Sequence, residues 1–536
     1  MTDFDFIVVG SGSAGGVVAA RLSESGKYSV LCLEAGEKGE NYIFSIPPLG
    51  NAYMIDNPAV SWCYTSDPGA SIANRSLAVP RGKLLGGSSA INGTTYNRGL
   101  KIDYDTWAQM GCRGWSFDEV LPILKRIEST ELGSDEFRGR SGPVKVIEAK
   151  PDSPFFDLFI KACERLGIPR NPDYSGASQE GVAMVQQTVY RGLRQSTATQ
   201  YLKPARNRAN LKILSGAEAT KLLFEGKTCV GVTYRHKGAM HEARALREVI
   251  VSSGAANSPK LLELSGIGDS ELLSRHGIPV VRDVKGVGAN LRDHFAAHMK
   301  WTTSRPGISI ARRGRGWRLG LEVLKWVLFR RGFITQGLGA MRVFARSRPD
   351  LEEPDMMLFG GPFLIETRPG KPRRMSRTDG FFIYAHPERT ETTGSIHIRS
   401  NDPFAPPRID FRFLETEGDR RISVAAVRLA RKIVETSPLS EVVGEELEPG
   451  RHVQSDEEII AFIREKGVIP HHMVGTCKMG TDPMAVVDER LRVHGISGLR
   501  VADASIMPTI TSGNTSIPCM MIGEKCAEMV LADAGS

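Results

Sequence analysis

The sequence predicts an α/β protein with an α+β second domain, and three stretches carry that expectation. The chain opens "DFDFIVVGSGSAGGVVAARLSESGKYSVLCLEAG", which reads strand, glycine turn, helix, strand. Residues 211–234 and the start of 247–268 alternate apolar residues at strand period, and a helical run follows from about Ser258. From about 296 to 480, short strand-like runs ("FFIYAHP", "GSIHIRS", "PRIDFRF") lie between charged or proline-containing turns, with helical stretches around 317–330 and 419–436. The first two stretches predict a Rossmann-like domain; the third predicts an antiparallel sheet with helices.

In the opening unit the first strand covers 5–9, the helix 14–25 and the second strand 28–33. Gly10, Gly12 and Gly15 fit three separate tasks: a tight turn, close approach of backbone to a pyrophosphate, and close packing of helix on strand. The phosphate would then meet the free N–H groups and dipole of the helix N-terminus. Glu34 follows Gly15 by nineteen residues, at the end of the second strand, where a carboxylate accepts from ribose hydroxyls. A lone G-x-G-x-x-G is a weak signal, but strand, helix, strand and acid together are specific. Residues 36–80 hold Pro47, Pro48, Pro58, Pro68 and Pro80 without a sustained period, and so long a structureless stretch reads as functional, a cover over a ligand for example. "RGKLLGGSSAINGTTYNRG", residues 81–99, gathers small N–H and hydroxyl donors in one loop, suited to a large polar ligand or to a tight packing turn. Residues 150–205 read as an insertion. The C-terminal stretch gives a strand over 499–502, Asp503 at its end, an irregular loop and a closing helix.

A chain of 536 residues exceeds what one hydrophobic core supports, so at least two domains are expected. With 41% hydrophobic and 24% charged residues the composition is that of a globular protein rather than a disordered or fibrous one. The net charge of +8 is modest for the length, and its densest clusters, 312–318 and 368–377, lack the interleaved aromatics that stack on bases, so no nucleic-acid partner is expected. The first strand begins almost at Met1, leaving no room for a secretory signal. No apolar run reaches the roughly 18 residues of a membrane span. The eight cysteines show no C-x-x-C pair and read as reduced, which fits a cytoplasmic address.

"IPHHMVGTCKMG", residues 469–480, concentrates the chemistry. A metal site is disfavoured, because adjacent histidines point apart on a helix or a strand and no spaced Cys/His set accompanies them. His294 and His298, four apart, would share a helix face but lack a third ligand and read as structural histidines. A nucleophile is equally disfavoured, since no G-x-S-x-G occurs and Cys477 lies among apolar neighbours. A histidine acting as base remains. "GWRLGLEVLKWVLFRRG", residues 316–332, sets Trp317, Leu321, Leu324 and Leu328 along one stripe and reads first as an ordinary packed helix, second as a membrane-surface or hydrophobic-substrate helix.

Six motifs now carry a resemblance along the whole chain: GSGSAGG at 10–16, GKLLGGSSAIN at 82–92, GAANSPKLLELSGIG at 254–268, GVGANLRDH at 286–294, HMVGTCKMG at 472–480 and LRVADASIMPTITSGNTSIP at 499–518. In their order and content they resemble the glucose-methanol-choline (GMC) oxidoreductases, flavoenzymes that oxidise alcohols. The resemblance implies bound FAD, with an FAD-binding domain made of 1–150, 205–295 and 481–536, and a substrate-binding domain made of 151–204 and 296–480. It implies His472 as the catalytic base and Asn514 as its active-site companion, with His471 bordering the flavin. It further implies that Gly10, Ser11, Gly12, Ser13, Ala14, Gly15, Glu34 and Ala35 hold the ADP part. Arg81, Gly86, Gly87, Ser88, Asn92, Gly93, Thr94 and Thr95 would hold the pyrophosphate and flavin, Ala219 the adenine, and Asp503, Ala504 and Thr515 the ribityl side. Members with covalent flavin carry a linking residue before the matching Asn; here that residue is Ile91, so noncovalent FAD is expected. The implied reaction is oxidation of a primary alcohol, aromatic, furanic or aliphatic, to the aldehyde, with hydride passing to the flavin N5 and then to oxygen, a quinone or another carrier. A flavoprotein lyase of the same fold, which transfers no hydride, is the alternative. Oxidase and dehydrogenase are not separable at this level.

Overall fold

The computed structural model describes residues 2–335, 339–368 and 371–535. Two sheets organise them. In the seven-stranded sheet, Leu211–Ser215, Val30–Glu34, Thr2–Val9 and Ala239–Val251 run parallel in that order, and Leu499–Val501 continues the parallel set against Val249–Val251. Strands of this kind are buried on both faces, which is why "FIVV" and "VLCL" are continuous rather than alternating. The first half of Ala239–Val251 instead pairs antiparallel with Thr228–His236, which pairs in turn with Ala217–Glu225.

The first helix, Gly15–Leu22, is shorter than the expected 14–25. Ser23 Oγ donates back to the Ala19 carbonyl at 2.9 Å and Gly26 turns the chain at φ +73°, so the helix stops there. Its face packs against the C-terminal helix Ser516–Gly535, where buried Glu524 accepts from Arg21 at 3.0 Å and from Tyr201 Oη at 2.9 Å.

The second sheet is antiparallel throughout: Val443–Glu448, Ala297–Thr303, Gly380–Pro387, Met356–Gly361, Met341–Ala345 and Gly181–Met184. Residues 150–205 therefore supply its edge strand, and their helix Pro154–Arg165 packs on the long helix Glu417–Val434. "GSIHIRS" and "PRIDFRF" form strands but do not join this sheet; Ser395–His397 and Arg408–Asp410 pair only with each other. Within 36–80 the chain makes single turns (Ile43–Ser45, Pro48–Gly50, Asn51–Met54) and a two-residue pairing of Tyr64–Thr65 with Ala78–Val79.

The helix Gly316–Phe329 corrects the expectation of an ordinary packed helix. Only Trp326 is buried, while Trp317 and Phe329 are 71% and 66% exposed. No described helix is long and apolar enough to cross a membrane. Of the basic cluster 368–377, residues 369–370 lie outside the described residues.

Candidate active site

A cavity of about 510 Å³ is walled by both sheets, from Val9, Leu33 and Ala219 on one side to Arg342, Phe359 and Tyr384 on the other. Of the residues singled out from sequence, Gly10, Gly12, Ser13, Ala14, Glu34, Ala35, Arg81, Gly87, Ser88, Asn92, Gly93, Thr95, Ala219, His471, His472, Asp503, Ala504, Asn514 and Thr515 line it. Ser11, Gly15, Gly86 and Thr94 lie behind that lining. Ser11 donates through Oγ to Glu34 Oε2 at 2.6 Å, and Gly86 N–H donates to the Ser11 carbonyl at 3.2 Å. The Thr94 carbonyl accepts from Thr188 N–H at 2.8 Å. Asn51, Ile55, Trp62, Leu77, Ala78 and Pro80 from the irregular 36–80 stretch complete part of the wall.

The nucleotide end is a cradle. A side chain at Gly12 would meet no atom within 4 Å, so its backbone opens onto the cavity, whereas one at Gly15 would stand 2.0 Å from the Gly10 carbonyl oxygen. This separates approach from packing. Gly12→Ala is expected to leave the melting temperature of the FAD-free protein unchanged and to weaken FAD binding at least about tenfold, read by flavin titration. Gly15→Ala is expected to lower the melting temperature itself. Glu34 is buried, accepts from Ser11 and Gly36 N–H, and has its pKa raised by burial. Asp503 is clamped by Gly254 N–H at 2.9 Å and Ser258 Oγ at 2.6 Å.

At the other end three histidines meet. His294 Nε2 lies 2.7 Å from the Glu388 carbonyl oxygen, which can only accept, so this nitrogen carries the proton. Burial pushes the His294 pKa down to about 3, so the ring is neutral and its Nδ1 is a lone pair. That lone pair faces His472 Nδ1 at 2.9 Å, which must therefore be the N–H donor. His472 is itself held neutral, its pKa lowered well below the usual value by burial first and then by the basic groups around it, the guanidinium groups of Arg81 and Arg342 among them. Its Nε2 is therefore the unprotonated nitrogen, whose lone pair accepts an N–H from Asn514 Nδ2 at 2.9 Å. The chain of three hydrogen bonds thus fixes which nitrogen is the base. Asp293 Oδ1 accepts from His472 N–H at 2.8 Å and holds the backbone in place. His386 stacks on His294 with ring centroids 4.7 Å apart.

His294 corrects the reading of 294 and 298 as one helix face. Ala297–Thr303 is a strand, and His294 precedes it at the active site. The signal was present in GVGANLRDH, whose final histidine sits in a motif already quoted. His386 and Arg342 were missed because each lies inside an apolar strand run. Cys477 is buried and its pKa is raised well above the usual thiol range by burial, which leaves the thiol inert.

The N-terminal part of the GMC oxidoreductase family matches residues 4–296, and its C-terminal part matches residues 390–523. The chain belongs to the GMC oxidoreductases. An oxygen-dependent choline dehydrogenase of Brucella ovis is 41% identical over 531 residues, which are 98% of this chain and 95% of that one. One of Rhizobium johnstonii is 40% identical over 530 residues with the same coverage. Among solved structures, pyridoxine 4-oxidase from Mesorbium loti matches with a TM-score of 0.87 at 29% identity over 98% of both chains. A formate oxidase of Aspergillus oryzae RIB40 matches with 0.91 at 27% identity, over 100% of this chain and 99% of that one. This GMC oxidoreductase binds FAD and acts on CH–OH donors. Its donor set fits the cofactor: the open backbone at Gly12 and Gly93, the Glu34 carboxylate, and a buried Arg81 Nε that has no hydrogen-bond partner among the described residues.

Proposed function

We propose that this GMC oxidoreductase converts a primary alcohol, aromatic, furanic or aliphatic, to the aldehyde, with His472 as general base. The observation that carries the reading is the lone pair at His472 Nε2, fixed by His294 and set beside Asn514 in the cavity wall. An alcohol releases hydride only as its O–H proton is taken, and a neutral imidazole near working pH contributes about 10²- to 10⁴-fold. His472 Nε2 accepts that proton, and Asn514 Nδ2–H turns from the ring to the developing alkoxide. FAD, when bound, supplies the hydride acceptor. Positioning comes from the second sheet, which supports the division into FAD-binding segments 1–150, 205–295 and 481–536 and substrate-binding segments 151–204 and 296–480. Ile91, an alkane side chain before Asn92, supports noncovalent FAD. Choline dehydrogenases and pyridoxine 4-oxidase as relatives support an alcohol substrate over lyase chemistry, with oxygen or a quinone-type carrier as final acceptor.

The test is colour. An alcohol added without oxygen is expected to bleach the flavin absorbance of the holoenzyme, and acid precipitation to release all flavin into solution. A flavin that stays oxidised with every alcohol offered removes the redox reading.

A further inference from the structure

Arg342 lies on the strand Met341–Ala345 and is 3% exposed, yet its side chain lines the same cavity as His472, Asn514 and Thr95. Nη1 donates to the Gly339 and Met341 carbonyls, both at 2.9 Å, and Nη2 to Thr95 Oγ1 at 3.0 Å. Two of the five donors of a guanidinium remain, and Nε is buried with no partner among the described residues. No described carboxylate forms an ion pair with it. The carboxylates in the cavity wall are Glu34, Glu218 and Asp503, and each is engaged elsewhere: by Ser11 and Gly36, by Arg235 at 3.0 Å, and by Gly254 and Ser258. Behind the wall, burial raises Asp293 to about 7 and Glu388 to about 8, so neither supplies a full counter-charge at neutral pH. A buried cation without a paired carboxylate is costly, and a ligand anion that completes it is correspondingly favoured.

We propose that Arg342 is the anchor for an anionic group on the substrate, so that the alcohol oxidised here carries a carboxylate or its equivalent rather than a quaternary ammonium. The proposal rests on the alcohol-oxidising reading for its substrate class. Guanidinium and carboxylate match in a planar, charge-assisted pair, whereas a trimethylammonium group would meet an uncompensated positive charge.

The experiment uses wild-type holoenzyme and two variants. With 4-(hydroxymethyl)benzoate, benzyl alcohol and choline, kcat/KM is expected to fall in that order, the first step by at least about tenfold. Arg342→Met is expected to lose about 10- to 100-fold more on the carboxylate alcohol than on benzyl alcohol, with Arg342→Lys recovering part of that difference. Independently of turnover, benzoate is expected to perturb the flavin spectrum of wild type, and tetramethylammonium to leave it unchanged. Equal or better use of choline, a wild-type spectrum moved by tetramethylammonium and not by benzoate, or an unaltered preference in Arg342→Met would overturn the anchor. A benzoate effect that depends on Arg342 without bleaching by any alcohol would keep the anchor and sink the alcohol reading instead.

The exposed helix Gly316–Phe329 carries a second, independent inference. Trp317, Leu321, Leu324, Leu328 and Phe329 are all more than half exposed, and Arg315, Arg318, Arg330 and Arg331 flank them, against Glu322 as the helix's only acid. Apolar surface rimmed by guanidinium groups is what a helix lying in the headgroup layer presents. Its one buried residue, Trp326, clusters with Phe333, Phe363 and Phe382, against which Tyr384 and Ile365 of the cavity wall also pack. The geometry points to an anionic bilayer as the occupant of this face. Holoenzyme is expected to co-sediment with phosphatidylcholine vesicles containing about a third phosphatidylglycerol and not with phosphatidylcholine alone. Leu324→Glu with Leu328→Glu is expected to lose at least about tenfold in vesicle affinity while keeping flavin reduction. Failure to bind charged vesicles, or a dimer in solution dissolved by the same two substitutions, would overturn it.

Discussion

His472→Ala is expected to bind FAD normally and to reduce its flavin with alcohol at least about a hundredfold more slowly than wild type. The expectation separates two functions that the cavity places at different ends. Glu34, Gly12 and Ala219 wall one end, whereas His472 stands with Asn514 and Thr95 near the second sheet. Removing the imidazole leaves the Asp293 contact to this segment intact, because that contact is made by the His472 backbone N–H, which alanine retains. What is lost is the Nε2 lone pair, which accepts from Asn514, and the Nδ1–H that is donated to His294. Anaerobic stopped-flow absorbance reads the reductive step without interference from the acceptor. Near-normal reduction would show that the hydroxyl proton leaves by another route.

The parts legible in the sequence are those whose cause is local. The opening βαβ unit was readable because Gly10, Gly12, Gly15 and Glu34 sit at fixed spacings on one short segment, and their tasks follow from backbone geometry. The antiparallel content of the second sheet was readable from the alternation in "FFIYAHP", but strand order was not. Gly181–Met184 reaches its edge from a distant segment, and "GSIHIRS" pairs outside it, because pairing partners are chosen by tertiary packing. His472 and Asn514 came from motif resemblance; what sequence could not give is the tautomer, which depends on a carbonyl at Glu388 and a ring at His294 brought in from elsewhere. The stripe at 316–329 has the same period whether it is buried or bare, so its exposure was open until its neighbours were placed.

Asn514→Asp tests the electrostatics of the base directly. In wild type the lowered pKa of His472 keeps the base form populated below the ordinary histidine range, so the acid limb of kcat/KM is expected below about pH 6.5. The active species is the deprotonated ring, and anything that raises its pKa moves that limb to higher pH. A carboxyl group at position 514 replaces an N–H donor 2.9 Å from Nε2 by an acceptor that holds a proton between the two atoms. Whether that proton resides on ring or carboxyl, the lone pair is covered, and a shift of about one to three pH units upward is expected. Activity at pH 7 should fall at least about a hundredfold and recover in part as pH rises. Asn514→Ala provides the contrast, because it removes the alkoxide donor without adding charge: a similar loss at pH 7 is expected with the limb moved upward far less than in Asn514→Asp, since only the N–H donated to the neutral ring is lost. Rate profiles of the two variants from pH 5 to 9 decide the matter, since coincident limbs would mean that residue 514 does not control the proton on His472.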